Sequence, residues 1–502
     1  MKQTYNKDDG FDELFTVADN LYDNLKRALV SGAMKTLEHG DVEERVAGDG
    51  LEILRQLVQV HFDVRARDEV RQESVTGSDG VVRNHRREGC ERSLETLFGD
   101  ITVSRVGYSQ RDTTSLFPLD AELNLPEDKY SHGLMRRSTR ESIRGSFDDA
   151  VNSIKETTGG AVPKRQLQDL AVEVAQDFEA FYSSQSAGAV KETKDPLIIS
   201  LDGKGIVMRQ EALRAATKKA AEDEEHKLKT RLSKGEKRNR KRMAAVATVY
   251  DITKHVRSAK SIMGLEEKSA KPRARNKRVW ASVEREHQTV TEEAFLEALH
   301  RDPKRGRPWA VLVDGQPQQI KNIKSCIKQH QVAEAVLILD LIHVIEYLWK
   351  AAYCFHPDGS PESEAWVKKR ILQILEGKSS DVAAGMRRSA TLRRLSRNAR
   401  KAVDICASYL IKNREMLRYD EYLKQGFPIA TGAIEGACRY LIKDRMDITG
   451  ARWGLVRAEA ILKLRSIKSS DDFEDYWKFY KTQAHKRIHA SQYQALPWAQ
   501  AA

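Results

Sequence analysis

Between residues 197 and 339 the sequence alternates short apolar runs with amphipathic stretches, and this alternation limits the possible folds more than any other feature. Three β-branched runs come first and predict strands: LIISLDGKG, RMAAVATVYDI and NKRVWASVE. They are followed by a helix (TEEAFLEALHRD), a strand (WAVLVDG), a helix (PQQIKNIKSCIKQH) and a strand (EAVLILD). The predicted element order is therefore βββαβαβ.

Three carboxylates are placed where this element order can use them. Asp202 and Asp314 each follow a predicted buried strand and precede a glycine. Glu435, Arg439 and Lys443 are spaced four residues apart, so on a helix one face would carry a carboxylate and two cations. An Asp-Gly pair after a strand is also a common turn, so either aspartate alone could be structural. Taken together, order and placement are those of an RNase H-like nuclease.

Carboxylates in such an arrangement can bind a pair of divalent ions. Two ions roughly 3.5–4 Å apart stabilise both the attacking and the leaving oxygen of an in-line phosphodiester displacement. Hard, oxygen-only ligands indicate two Mg²⁺ ions, with Mn²⁺ as a possible substitute. Asp202, Asp314 and Glu435 are therefore the candidate catalytic residues and metal ligands.

Composition points to a polyanionic partner. The 502 residues are 40% hydrophobic, which is enough for two or three cores, and the formal net charge is +12. Nucleic acid is the first candidate for the partner of such a basic chain. The five cysteines never form a CxxC pair, which argues against a disulfide framework and a zinc finger. No apolar signal core or bilayer-spanning run is evident, so we expect a cytoplasmic protein without a membrane partner.

The expected fold class is α+β, with a core interrupted by two helical insertions and preceded by a mainly helical region. Changes in texture along the chain predict the following regions: 1–110, helical and β-hairpin; 111–195, a linker and a two-helix motif; 196–356, the first part of the core with a charged insert at 209–242; 357–427, an all-α insertion; 428–470, the catalytic helix; and 471–502, a C-terminal tail.

The two-helix motif has the pattern of a helix-turn-helix. Ser146 can cap a first helix, Gly159 and Gly160 make the turn, and Pro163 opens a second helix. Side chains near the start of the second helix could reach a major groove. They are Lys164, Arg165, Gln166 and Gln168. Any αα-hairpin can produce the same pattern, so the motif is either a DNA-binding helix-turn-helix or an ordinary pair of packed helices.

With these residues placed, the sequence resembles bacterial insertion-sequence transposases of the DDE class, most closely the ISKra family. The strings that carry the resemblance are LFPLDAELNLPEDKYSHGL, LDGKGIVMR, LVDG, LILDLIHVIEYLWKAA and ATGAIEGACRYLIKDRMDITGARWG. Mutator-like transposases carry an Asp-x-x-His motif after the last strand, which Asp340 and His343 match. The gap between Asp202 and Asp314 is long for the class, and the charged insert accounts for part of it.

The resemblance implies Asp202, Asp314 and Glu435 as metal ligands, with Asp340 and His343 as accessory residues of the active site. It also implies transposon-end and target DNA as partners, and a homodimer or higher oligomer on DNA. From the residues alone, His343 could equally be a satisfied core histidine.

Two other functions stay open. One is a domesticated transposase that acts as a sequence-specific DNA-binding regulator, against which the intact carboxylate triad argues. The other is an RNase H-like nuclease that cuts without joining. The phosphate contacts expected of Arg439 and Lys443 would serve any of the enzymatic functions.

Overall fold

The computed structural model describes residues 12–32, 34–185, 193–223, 240–267, 270, 272–448 and 450–495. It confirms a mixed fold of helices and strands, consistent with the α+β class. The chain forms two compact units. The first comprises the described residues of Met1–Phe181 and Phe473–Ala502, and the second comprises those of Tyr182–Asp472.

The elements are numbered in chain order. The strands are β1 (Val75–Thr76), β2 (Val82–Arg83), β3 (His85–Thr96), β4 (Gly99–Ser109), β5 (Leu197–Val207), β6 (Lys241–Asp251), β7 (Arg275–Ser282), β8 (Trp309–Val313) and β9 (Val336–Leu339). The helices are α1 (Asp12–Val30), α2 (His39–Arg67), α3 (Pro118–Glu122), α4 (His132–Arg144), α5 (Phe147–Thr157), α6 (Lys164–Ala175), α7 (Phe178–Gln185), α8 (Ala215–Glu222), α9 (Ala259–Ile262), α10 (His287–Arg301), α11 (Pro317–Gln329), α12 (Leu341–Ala352), α13 (Pro361–Leu375), α14 (Ser379–Leu392), α15 (Lys401–Lys412), α16 (Tyr419–Gln425), α17 (Gly432–Ala437), α18 (Asp444–Met446), α19 (Leu455–Ser469) and α20 (Phe473–Ile488).

In the first unit, the antiparallel hairpin β3–β4 packs against the long helix α2. The inward residues Leu94, Ile101 and Val103 form a core with the partly buried Val58 and Phe62 of that helix. The following segment, predicted from the sequence to be a linker, contains α3, whose Leu119 and Ala121 are buried. It contributes to the core because its apolar residues pack inward.

Helices α5 and α6 confirm the predicted two-helix pattern. Ser146 caps α5 in a reciprocal arrangement with Asp149, and the Pro163 position precedes the first residue of α6. Residues 473–488, within the expected tail, form α20. The Tyr480 hydroxyl donates to Glu173 of α6 over 2.9 Å, and buried aromatic residues line the contact. The last part of the chain is thus tied to the first unit.

The second unit is built on a five-stranded sheet in the order β7-β6-β5-β8-β9. The pairs β5–β6 and β6–β7 are antiparallel, whereas β5–β8 and β8–β9 are parallel. Every strand and helix predicted between 197 and 339 is present; α8 lies in the predicted charged insert, and the short helix α9 is additional. All five residues of β8 are buried, as expected for an internal strand of a covered sheet.

Helix α19 lies along β7. Its Glu459 carboxylate accepts the backbone N–H of Val283 over 2.8 Å, and its Ser466 hydroxyl accepts that of Ala281 over 3.3 Å. Ser470, directly after the helix, accepts the N–H of Val279 over 2.9 Å. Side chains of α19 and of the residue after it therefore satisfy every second N–H group from Val279 to Val283, at the end of this strand and just beyond it.

The two predicted insertions differ in how much the structure describes. The expected all-α insertion is helical, because α13, α14, α15 and α16 occupy it. Of the charged insert at 209–242, positions 224–239 lie outside the described residues; α8 precedes them and β6 begins at Lys241. No helix within the described ranges has the length and apolar character needed to cross a bilayer.

Candidate active site

Asp202 lies on the central strand of the sheet. It ends the apolar run, as predicted, but it does not end the strand: β5 continues to Val207 because Gly203 to Val207 still pair with β6. The pairing with β8 stops earlier, at Ser200. The Asp202 side chain is half-buried just beyond that point. Its Oδ1 accepts the Gly203 N–H over 2.6 Å.

Asp314 directly follows β8, as the sequence predicts. Its Oδ1 accepts the N–H of Gln316 over 2.8 Å, which closes an Asx-type turn. Gly315 has φ +92°, and a Cβ there would lie 2.9 Å from the Tyr409 ring, so conformation and space both require glycine. The Tyr409 hydroxyl donates to the Asp314 carbonyl over 2.8 Å. The backbone around this aspartate is therefore fixed on two sides.

Asp340 connects three elements at the end of β9. It is fully buried, and its backbone N–H donates to the Val313 carbonyl of β8 over 2.8 Å. One carboxylate oxygen accepts the N–H groups of Ile342 (3.0 Å) and Thr431 (3.2 Å). The other accepts the Thr431 hydroxyl and faces His343. These four partners make Asp340 a positioning residue rather than an open metal ligand.

His343 lies one turn into α12, with Nδ1 2.9 Å from Oδ2 of Asp340. The hydrogen bond that Nδ1 donates to Asp340 raises the pKa of His343 to about 9, against the opposing effect of burial. The charges of Asp340, Asp314 and Glu346 also raise it. The side chain is 34% exposed. An imidazolium held in this way has Nε2 as a remaining donor for an anionic ligand.

Glu435 lies on α17, one turn after Thr431. The Thr431 hydroxyl, which could cap this helix, instead donates to Asp340, so the start of α17 is tied to the end of β9. Burial raises the pKa of Glu435, as do the charges of Asp340 and Asp202, and His343 acts in the opposite direction. The predicted catalytic glutamate is therefore within electrostatic reach of the central aspartate.

Cys438, which the sequence analysis does not single out, links the same helix to β5. Its thiol donates to Oδ2 of Asp202 over 3.0 Å. Burial and the Asp202 charge raise the pKa of Cys438, so the group remains a thiol donor. Counting the described residues, each Asp202 oxygen has one hydrogen-bond donor, the Gly203 N–H or the Cys438 thiol, and keeps a further lone pair.

The helix after Glu435 departs from the period assumed in the sequence analysis. Residues Cys438–Lys443 form a π-helical turn between α17 and α18. Glu435, Arg439 and Lys443 are nevertheless all exposed. Arg439 pairs only loosely with Asp444, at 3.5 Å with 70% of its side chain exposed. Short π-helical turns within a helix occur frequently at functional sites.

The donor set suits a hard divalent ion, because Asp202, Asp314 and Glu435 offer carboxylate oxygens. The charge of Asp202 raises the pKa of Glu435, and the charge of Asp314 raises that of His343. However, no three His, Cys, Asp or Glu side chains in the described ranges are close enough to hold one ion. The chemistry of the ligands thus fits Mg²⁺ or Mn²⁺, whereas a three-ligand site is not assembled.

In the first unit, the predicted DNA-contacting residues occupy the first turns of α6. Lys164 pairs with Asp148 at 2.7 Å and Arg165 with Asp169 at 3.5 Å, and both cations are exposed. Gln166 and Gln168 are half-buried. Exposed ion pairs contribute little stability, about 0–1 kcal/mol, so phosphates could replace the carboxylates at small cost. DNA reading by this helix stays a prediction.

Comparisons with known proteins do not assign the chain to a family: neither a scan against models of protein families nor a search of curated proteins gave a match.

Proposed function

We propose that the protein is a DNA transposase with an RNase H-like catalytic core, which binds terminal inverted repeats and carries out metal-dependent strand cleavage and strand transfer. The observation that carries the proposal is the position of Asp340. This buried carboxylate joins the end of β9 to His343 and to the start of the Glu435 helix, next to the strands that bear Asp202 and Asp314.

The sheet supports the same proposal. An RNase H-like sheet has three antiparallel strands in sequence, followed by two parallel strands added on the other side of the first. The order β7-β6-β5-β8-β9, with β6 antiparallel to β5, follows that plan. Asp202 lies on the first strand, and Asp314 directly follows the fourth, which pairs with it.

In the proposed reaction, Asp202, Asp314 and Glu435 would hold two Mg²⁺ ions, which would activate the nucleophile and stabilise the leaving oxygen. The protein's own groups then act on the phosphate. The His343 imidazolium, oriented by Asp340, donates from Nε2 toward a non-bridging oxygen. Arg439 and Lys443 on the exposed helix face neutralise neighbouring phosphates. Asp340 orients His343 and α17 without touching DNA.

Water is the nucleophile in the first step, and the 3′-hydroxyl that it frees attacks target DNA in the second. No Ser or Tyr nucleophile is needed, since each step exchanges one phosphodiester oxygen for another. We further propose that Lys164, Arg165, Gln166 and Gln168 contact the element ends, that the protein works as a dimer or higher oligomer on DNA, and that it acts in the bacterial cytoplasm.

The regulator hypothesis has one observation in its favour, because the described residues assemble no three-ligand metal group. A domesticated transposase would bind DNA without cutting it. The nuclease hypothesis would require cutting without joining. Both differ from the main proposal in the products that they form from the same DNA.

The test uses the full-length protein and the DNA that flanks its reading frame. We expect Mg²⁺-dependent nicking at a defined end, followed by joining to a second duplex. Asp314→Ala should abolish cleavage and leave end binding intact. Asp381→Asn, an exposed carboxylate on α14, is the matched control and should cleave normally. Full cleavage by a folded Asp314→Ala protein would contradict the catalytic assignment, and binding without cleavage by the wild type would favour the regulator.

A further inference from the structure

Two arginines of the all-α insertion stack on two neighbouring aromatic rings. The Arg370 guanidinium carbon lies 3.5 Å from the centre of the Trp366 ring, and that of Arg393 lies 5.2 Å from the centre of the Phe355 ring. The two rings are 5.4 Å apart, tilted by 33°. We call Phe355, Trp366, Arg370 and Arg393 the arginine–aromatic cluster.

The cluster holds its two cations in place without a counter-charge. Each guanidinium donates Nη1 to the backbone carbonyl of the aromatic residue that it covers: Arg370 to Trp366 over 3.1 Å, and Arg393 to Phe355 over 3.0 Å. Within the described part of the chain, no carboxylate pairs with either guanidinium. Arg400, in the same segment, contrasts with them, because it forms a two-point ion pair with Asp404.

The two guanidiniums also repel each other. Burial is the main cause that lowers the pKa of Arg370 to about 10, and the charge of Arg393 adds to it. Arg370 is nevertheless charged at neutral pH. Two ordered cations with N–H groups to spare are preorganised for an anion, since the aromatic rings and the carbonyl bonds fix both side chains before it binds.

We propose that the arginine–aromatic cluster binds the phosphodiester backbone of double-stranded DNA. Guanidinium groups match phosphate oxygens through two N–H bonds, and the proposed function makes DNA the polyanion. One face of each ring already carries a guanidinium group, so the cluster offers cations rather than two bare rings to its ligand. Arg388, Arg394 and Arg397, near Arg393 in the sequence, are also exposed, so this part of the insertion is rich in cations that could meet a polyanion.

The inference rests on the proposed function for the identity of the polyanion, and it assigns the all-α insertion a task within that function. The insertion would hold DNA through its backbone and without regard to sequence. Recognition of the element ends would then fall to other residues.

The experiment measures binding of full-length protein to a random duplex of about 30 bp while NaCl is raised from about 50 to 200 mM. The slope of log affinity against log salt should fall by about one for each lost phosphate contact. We expect such a fall for Arg393→Gln and for Arg370→Gln. Arg393→Lys should keep most of the slope, because it keeps the charge. Arg414→Gln removes an exposed arginine that is paired with Glu415, and should leave the slope unchanged.

Thermal unfolding of the same variants separates binding from folding. If the cluster is built for an anion, Arg393→Gln relieves repulsion and should unfold at the wild-type temperature or above it. A lower unfolding temperature together with an unchanged slope would show a merely structural role and overturn the proposal. Arg393-dependent binding of poly-glutamate in place of DNA would overturn it as well, by identifying an acidic protein as the partner.

These outcomes are independent of catalysis. Mg²⁺-dependent cleavage with an unchanged slope in both cluster variants would remove the inference and leave the proposed function. A reduced slope in a protein that never cleaves would keep the DNA-binding cluster and remove the transposase proposal.

Discussion

Nδ1 of His343 lies 2.9 Å from the buried carboxylate of Asp340, and this pair sets the protonation state of the histidine. The pKa of His343 is raised from 6.5 to about 9, and that of Asp340 is lowered. The imidazolium is therefore the resident form at neutral pH. A histidine that is cationic in the resting protein acts as a donor to anions and not as a general base.

The raised pKa of His343 predicts a pH-dependent contribution to stability. The contribution is fully present below pH 6.5 and is lost as the pH rises through about 9, because the folded state then releases the proton that it had held more tightly than the unfolded chain. His343→Gln should lack this component. Urea unfolding of both proteins at pH 6, 7.5 and 9 measures it, and parallel pH profiles would contradict the prediction.

The same variant predicts an effect on rate. His343→Gln should slow strand cleavage without removing its dependence on Mg²⁺, because the side chain acts beside the carboxylates and is not one of the proposed ligands. DNA affinity should change little. The measurement is single-turnover cleavage over a range of Mg²⁺ concentrations. Unchanged cleavage kinetics would show that His343 has only a structural role.

Thr431→Val should weaken the connection between β9 and the Glu435 helix. Removing the hydroxyl leaves the buried Asp340 carboxylate without one donor, which should cost about 1–3 kcal/mol of stability. Cleavage should fall while DNA binding persists. Thr482→Val, at an exposed position of α20, is the control and should match the wild type in both assays.

We also expect stability to depend on pH through Glu69 in the first unit, but there the cause of the raised pKa is burial and not a charged partner. Its Oε2 accepts the Val106 N–H over 2.8 Å, whereas Oε1 is buried without a hydrogen-bond partner in the described structure. Burial raises the pKa of Glu69 from 4.5 to about 7. Since the folded state holds this proton more tightly, stability should fall as the pH rises from 4.5 to about 7, by at most about 3 kcal/mol.

Glu69→Gln should remove this fall. The measurement compares how steeply the free energy of unfolding changes between about pH 5 and 7 in the wild type and in the variant. The free energy at any single pH is not compared, because the amide introduces a buried donor that shifts it. An equal slope in both proteins would show that Glu69 is ionised throughout.

The left-handed backbone at Arg394 leads us to expect that a glycine there would stabilise the protein. It has φ 53° just after α14, where its N–H and that of Leu395 bond back to the carbonyls of Thr391 (3.0 Å) and Ala390 (3.1 Å). This left-handed position after a helix is usually occupied by glycine. Arg394→Gly should therefore raise the free energy of unfolding by about 0.5–1 kcal/mol. Arg397→Gly loses the same charge without left-handed backbone and should not stabilise.

The sheet and the caps could be predicted from the sequence because their signals are local. β-branched runs bounded by glycine and polar residues mark the five strands of the second unit, and Ser146 three residues before Asp149 marks the start of α5. The candidate carboxylates are predictable for the same reason, since Asp202 and Asp314 each follow an apolar run and Glu435 is spaced four residues from Arg439.

Contacts between residues far apart in the sequence cannot be predicted from such local signals. The continuation of β5 past Asp202 depends on pairing with β6, and Gly203 and Gly205 alone indicate a turn. The bond from Cys438 to Asp202 and that from Thr431 to Asp340 join residues far apart in the chain. The π-helical turn after Glu435 likewise does not follow from a pattern of 3.6 residues. Much of what positions the candidate site was therefore hidden from the sequence.

The bonds from Glu459, Ser466 and Ser470 to β7 have a consequence for association between chains. An outer strand with free N–H groups can template the addition of another strand, from a second copy or from an unfolded chain. At Val279, Ala281 and Val283 those groups are already taken. The end of β7 is therefore a poor template for an added strand, and losing Ser466 would free the Ala281 N–H for such pairing without touching any residue of the candidate active site.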